Sequence, residues 1–113
     1  MLYESHKQEP WFSLIATMEK SIDGRLKKGK YAEIKPGDYL IVFSNDEKND
    51  IKTKVLAVRY YPSFREMLKN EDVEKILPGL TDIETGVETY RKFYTQDDEK
   101  QYGVVAIEIE IMK

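Results

Sequence analysis

The sequence predicts a small α+β domain, a compact mixed or antiparallel β-barrel with three to four helices packed on it. Three observations carry this expectation. The chain has 113 residues, room for one core and no second domain, so a single domain over 1–113 is expected. Apolar residues make up 41% and charged residues 35% of the chain, enough for a core under an ordinary solvated surface. Segments with a period of two alternate with segments of helical period along the whole length.

Residues 2–7 alternate loosely and read as a first short strand. Glu9-Pro10 opens a helix, with proline in a favoured first-turn position and Trp11, Leu14, Ile15 and Met18 at helical spacing. From Ser21 to Leu26 the pattern becomes strand-like, with Ile22 on one face and Asp23 and Arg25 together on the other. Lys27-Lys28-Gly29-Lys30 is a basic loop. Lys35-Pro36-Gly37-Asp38 is a turn before the strand Tyr39-Leu40-Ile41-Val42-Phe43. A polar turn from Asn45 to Asp50 then joins a long strand from Ile51 to Tyr60, completing an antiparallel hairpin.

Pro62 ends that strand. Ser63 is placed as an N-cap with Glu66 at the capping-box position, opening a short helix whose apolar face carries Phe64, Met67 and Leu68. A second short helix covers Asp72 to Leu77. Thr81 or Asp82 caps a third, running to Tyr94 with Ile83, Val87, Tyr90 and Tyr94 on one side, and Gly86 weakens it by roughly 1 kcal/mol. The acidic run Gln96 to Gln101 reads as a solvated loop. The closing segment from Tyr102 to Ile111 begins as a continuous apolar run and ends in alternation, as a strand does on passing from a two-sided interior to an edge.

Several chemistries are disfavoured. Eighteen basic against twenty-one acidic residues leave a net charge of −3, which argues against general coating of double-stranded DNA through its phosphates. With no cysteine there is no disulfide framework, thiolate zinc site or cysteine nucleophile. Residues 1–10 lack the basic and apolar regions of a signal peptide, and no apolar run approaches membrane-span length. A cytoplasmic protein with no membrane association is expected, the nucleus remaining open for a eukaryotic source. Gly24-Arg25-Leu26-Lys27-Lys28-Gly29-Lys30 matches the glycine and lysine spacing of a phosphate-binding loop, but Tyr31 stands where a magnesium-holding hydroxyl is needed and no helix follows. His6 is the only histidine and reads as a strand residue satisfied by a carbonyl, so no metal or cofactor is expected.

The richest segment is Glu19-Lys20-Ser21-Ile22-Asp23-Gly24-Arg25, which puts an amine, a hydroxyl, a carboxylate and a guanidinium at a helix-to-strand junction. By spacing alone, the simplest reading of Asp23 and Arg25 is a surface ion pair worth under about 1 kcal/mol. The segment nevertheless resembles the signature of the ASCH family, the activating signal cointegrator homology domains, which are similar to the PUA fold. The resemblance rests on Lys20-Ser21-Ile22-Asp23-Gly24-Arg25-Leu26, on Lys35-Pro36-Gly37-Asp38 and on Tyr61-Pro62-Ser63-Phe64-Arg65-Glu66-Met67-Leu68. It continues in Leu77-Pro78-Gly79, Tyr90-Arg91-Lys92-Phe93-Tyr94 and Tyr102-Gly103-Val104-Val105-Ala106-Ile107, in the expected order.

The resemblance implies a PUA-like barrel with Lys20 to Arg25 in a cleft beside it, and hence a module binding RNA or a nucleoside-type small molecule. In that reading Lys20 and Arg25 hold a phosphate or a base edge, Tyr61 and Tyr90 offer stacking platforms, and Ser21, Asp23, Lys30 and Ser63 complete the candidate ligand-binding set. The resemblance also implies an alternative, an amidohydrolase acting on acetylated cytidine through a lysine, a threonine and a glutamate. Lys20 matches the lysine, Asp23 stands where the threonine is expected, and Glu74 or Glu71 would serve as the glutamate. A carboxylate is no substitute for a hydroxyl nucleophile, and Asp23 beside Lys20 favours the charged amine over a neutral base. A ribonuclease, the third implied activity, would need acid–base groups other than His6.

Overall fold

The computed structural model describes residues 1–80 and 82–112, in the order β1 (Leu2–Lys7), α1 (Trp11–Ala16), β2 (Ile22–Leu26), a 3-10 turn (Gly29–Ala32), β3 (Tyr39–Ser44), β4 (Asp50–Tyr61), α2 (Phe64–Asn70), α3 (Val73–Ile76), α4 (Ile83–Arg91), α5 (Gln96–Tyr102) and β5 (Val104–Ile111). The strands form one sheet ordered β1-β3-β4-β5-β2, with β1 parallel to β3 and every other pairing antiparallel. The α+β class and mixed sheet are as the sequence predicts. The sheet curls into a half-barrel, and its bend has a local cause. The β4–β5 register shifts between Val55 and Ala57, and such a bulge bends its strand and adds twist.

The composition of β5 explains its central position. Val104 and Ala106 pack with α2, α3 and α4, among Phe64, Met67, Leu68 and Ile76. Val105, Ile107 and Ile109 alternate to the other face, with Phe12 and Ile15 of α1 and Leu40, Val42 and Val55 of the hairpin. A strand with apolar neighbours on both faces needs apolar residues at consecutive positions. Its pairing with β2 ends at Glu108, while β4 continues to Ile111, so the alternating tail lies where one neighbour is lost.

Ser63 caps α2 by accepting from the Glu66 N–H, and Phe64, Met67 and Leu68 are buried as expected. Asp72 caps α3 and Asp82 caps α4 in the same way, whereas Thr81, the other proposed cap, lies outside the described residues. Three expectations are corrected. The Gln96 to Gln101 run belongs to the helix α5, giving five α-helices among the described residues. Its Thr95–Asp98 capping box satisfies early N–H groups, and Glu99 turns inward to accept from the Phe64 N–H at 3.0 Å. α1 ends at Ala16, so Met18, in a left-handed conformation with φ 63°, leaves the helical face and is exposed. Gly86 is also a close contact, since a Cβ there would stand 2.9 Å from Leu68 Cδ1. The partner of His6 is the Glu47 carboxylate, at 2.7 Å, not a carbonyl.

Among the described residues no helix is long and apolar enough to cross a membrane.

Candidate functional site

The edge strands β1 and β2 are not neighbours in the sheet order, yet the curl brings them together, and side chains join them. Asp23 and Arg25 share one face of β2, as period two requires, with Arg25 Nε donating to Asp23 Oδ2 at 3.1 Å. Arg25 Nη2 reaches across to Ser5 Oγ and the His6 carbonyl of β1, both at 3.0 Å. From β1, Lys7 Nζ lies 2.6 Å from Asp23 Oδ1. The Asp23–Arg25 pair is therefore a buried seam across the open side of the half-barrel, in place of the surface pair that spacing suggested. The Asp23 side chain is 3% exposed.

Lys20 enters the same region from below. After α1 the chain reverses, with the Lys20 N–H donating to the Leu14 carbonyl, and the side chain runs inward. Its Nζ donates to the Ile22 carbonyl at 2.7 Å and the Ile76 carbonyl at 2.6 Å. The latter ends α3, where carbonyls lack intrahelical partners. Burial pushes the Lys20 amine down to about 7, against the opposing pull of Asp23, with Lys7 and Arg25 adding to the depression. Burial thus outweighs the carboxylate whose proximity was expected to keep this amine charged. Burial alone would raise Asp23, but Arg25, Lys7 and Lys20 together hold its carboxyl below the ordinary range.

Above this seam lies a cleft of about 190 Å³, lined by Lys7, Lys20 and Arg25 and by the aromatic residues Trp11, Tyr90, Phe93 and Tyr94. Gly24 forms part of its lining, and a Cβ there would come within 2.7 Å of both Met67 Cε and Tyr90 Oη. Tyr90 stacks on Phe64 with ring centroids 4.2 Å apart, and Tyr94 on the same ring at 5.2 Å. Phe64 therefore holds both tyrosines from the core side. Phe93, 51% exposed, is free at the rim.

Of the sequence-derived candidates, Lys20, Arg25 and Tyr90 line the cleft and Asp23 lies beneath it. The others stand elsewhere. Ser21 contributes backbone bonds, its N–H to Lys75 and its carbonyl to Ile109. Ser63 is the α2 cap. Lys30 is bonded to the Glu4 carbonyl beside a shallow groove containing Lys28, Tyr31 and Tyr94. Tyr61 is not among the cleft-lining residues; its hydroxyl donates to Glu71, which is also held by Arg59 at 2.6 Å. Glu74 is exposed on α3 and does not line the cleft, so the structure does not assemble it with Lys20 and Asp23. The sequence reading missed Lys7, Trp11, Phe93 and Tyr94 as site residues. The lone tryptophan was a usable signal, whereas nothing near Lys7 in sequence pointed to Asp23.

The family model described as the ASCH domain matches residues 6–113. The fold is similar to the crystal structure of hypothetical protein PH0355, with a TM-score of 0.88 and 47% identity over 99% of this chain and 100% of that one. It is also similar to the solution NMR structure of Protein PF0455 from Pyrococcus furiosus, with a TM-score of 0.78 and 46% identity over 100% and 99%. An ASCH domain from Lactobacillus crispatus shares the fold at 15% identity, with a TM-score of 0.57 over 96% of this chain and 79% of that one. Among curated proteins none matches.

Proposed function

The chain belongs to the ASCH domain family, and on that premise we propose that it binds one nucleoside-type unit, free or as an extruded nucleotide of RNA, in the cleft between β1, β2 and α4. The observation that carries this reading is the pairing of an aromatic rim, Trp11, Phe93 and Tyr94, with hydrogen-bond donors at the inner end. Aromatic rings stack on the faces of bases without needing their sequence, while donors orient a polar ligand. Size narrows the choice. At about 190 Å³ the cleft falls below the roughly 300–1,000 Å³ that accommodates drug-sized ligands, so it takes one nucleoside-type unit at most, part of which stays outside it.

Trp11 is the only tryptophan, so its fluorescence reports directly on the rim. Titration with nucleosides and short single-stranded RNA is expected to quench or shift that emission. Phe93→Ala, at an exposed position, is expected to weaken binding about tenfold, within the usual range for losing one stacking ring. Unchanged fluorescence across the panel, with no heat of binding by calorimetry, would reject this function.

One observation favours the hydrolase as a second reading: a Lys20 amine near 7 is partly neutral at neutral pH, as a general base must be. Against it, the residues lining the cleft include no carboxylate, and Asp23 is engaged by Lys7 and Arg25. This reading requires acetate release from acetylated cytidine that disappears in Lys20→Ala.

A further inference from the structure

We propose that the inner end of the cleft is an oxyanion subsite, so that its ligand is a phosphate ester, a nucleoside monophosphate unit rather than a neutral nucleoside. The inference rests on the function proposed above and specifies its substrate class.

The argument begins with a charge count. Lys7, Lys20 and Arg25 line the cleft, and the carboxylate among them is Asp23 alone. At the Arg59 cluster the balance runs the other way, with one guanidinium facing two carboxylates, Glu71 and Glu108. No Asp or Glu is among the cleft-lining residues, although the protein as a whole carries a net charge of −3. Basic side chains thus gather in a cleft of an acidic protein, where partial burial weakens screening and makes their charge more effective toward an anion.

A donor count points the same way. An ammonium has three donors. Lys20 commits two, to the Ile22 and Ile76 carbonyls, and Lys7 has Asp23 Oδ1 as its acidic partner, with its side chain 15% exposed. Arg25 commits Nε and Nη2 to Asp23, Ser5 and the His6 carbonyl, so it cannot offer a free bidentate fork to the ligand. Lys7 offers a point charge there instead, with Lys20 behind it. The two ammonium groups carry more protons than these acceptors take up, so a ligand that only accepts fits beside them, and a phosphate monoester brings up to three acceptor oxygens with a charge between about −1.5 and −2 at neutral pH.

The same arrangement couples binding to a proton. The groups facing the Lys20 amine are Asp23 and Arg25 on β2 and Lys7 on β1, with the Tyr90 hydroxyl of α4 also lining the cleft. An anion among them favours protonated Lys20, so affinity should rise as pH falls from about 8 toward the amine's value near 7. It should stop rising below about 6, where the phosphate itself takes up a proton.

The test is titration of the full chain, by Trp11 fluorescence and calorimetry, with adenosine and cytidine, their 5′-monophosphates, and inorganic phosphate. The expected result is monophosphate binding at least about tenfold tighter than the nucleoside, the ordinary weight of one charge-assisted hydrogen bond. Equal affinities would overturn the subsite and leave nucleoside binding standing. If phosphate binds and neither nucleotide binds more tightly than phosphate, the subsite stands and the nucleoside reading falls. No binding by any probe defeats both. In Lys7→Gln the monophosphate is expected to lose about tenfold while the nucleoside stays within about twofold, and an equal loss for both would reduce Lys7 to a structural role. Should that variant fail to fold, the monophosphate-to-nucleoside ratio of the unaltered protein still decides.

Discussion

Lys7 Nζ and Asp23 Oδ1 lie 2.6 Å apart although their strands are the first and last in the sheet order. The pair, with Arg25, does the work that backbone hydrogen bonds would do in a closed barrel, and it positions cations along the cleft while doing so. A sheet edge held by side chains rather than by a ladder leaves room between the strands, and the cleft opens there.

Removing the shared carboxylate should be severe. Asp23→Asn leaves Lys7, Arg25 and Lys20 with no anionic partner in a buried region, and breaking a buried ion pair on one side typically costs about 3–5 kcal/mol. A drop in Tm of more than about 10 °C is expected by calorimetry or circular dichroism. A change of a degree or two would mean that the seam contributes little.

Stability should increase with pH across the neutral range. The folded-state value of Lys20 is depressed to about 7 by burial, while the unfolded chain keeps its lysine near 10.4. Between those values the unfolded state binds more protons, so stability rises as pH rises from about 7 toward 10, by on the order of 1 kcal/mol per pH unit. Above about 10 the trend reverses. Burial raises the Tyr90 and Tyr94 hydroxyls, and the stability they contribute is lost as pH climbs past the ordinary tyrosine value. Urea midpoints measured from pH 6.5 to 9.5 are expected to climb in the unaltered protein and to flatten in Lys20→Met.

Two glycine-to-alanine changes should behave differently. In Gly24→Ala the new methyl meets Met67 and also Tyr90 Oη at 2.7 Å, and Tyr90 is held by its stack on Phe64. Overpacking of this kind costs about 1–3 kcal/mol, and the methyl also intrudes on the cleft. In Gly86→Ala the clash is with the flexible end of Leu68, and the gain in helix propensity of roughly 1 kcal/mol offsets it. Chemical denaturation should place Gly86→Ala within about 1 kcal/mol of the unaltered protein, with Gly24→Ala clearly below.

The last helix should depend on its cap and on one inward carboxylate. Thr95→Ala removes the acceptor for the Asp98 N–H, for an expected loss of about 1 kcal/mol. Glu99→Ala leaves the Phe64 N–H buried without its acceptor, expected to cost about 1–3 kcal/mol. If α5 were dispensable, neither change would move the unfolding midpoint.

Local signals alone determined much of this protein. Period two marked β1, β2 and the β3–β4 hairpin, Ser63 and Asp82 marked helix starts, and the uninterrupted apolar run of β5 foretold a strand covered on both faces, because each signal depends only on neighbours within a turn or a strand. Asp23 and Arg25 were legible as a pair for the same reason. α5 was misread because its helical stability comes from the Thr95–Asp98 box and from Glu99 bonding across to Phe64, and only the capping box is local. The burial that depresses Lys20, the partner of the Tyr61 hydroxyl and the place of Lys7 beside the cleft were decided by tertiary structure. Each turns on burial or on a partner far away in sequence: the Ile76 carbonyl for Lys20, Glu71 for Tyr61 and Asp23 for Lys7. Electrostatics and hydrogen bonding act through space, and only the curl of the sheet brings those groups within range of one another.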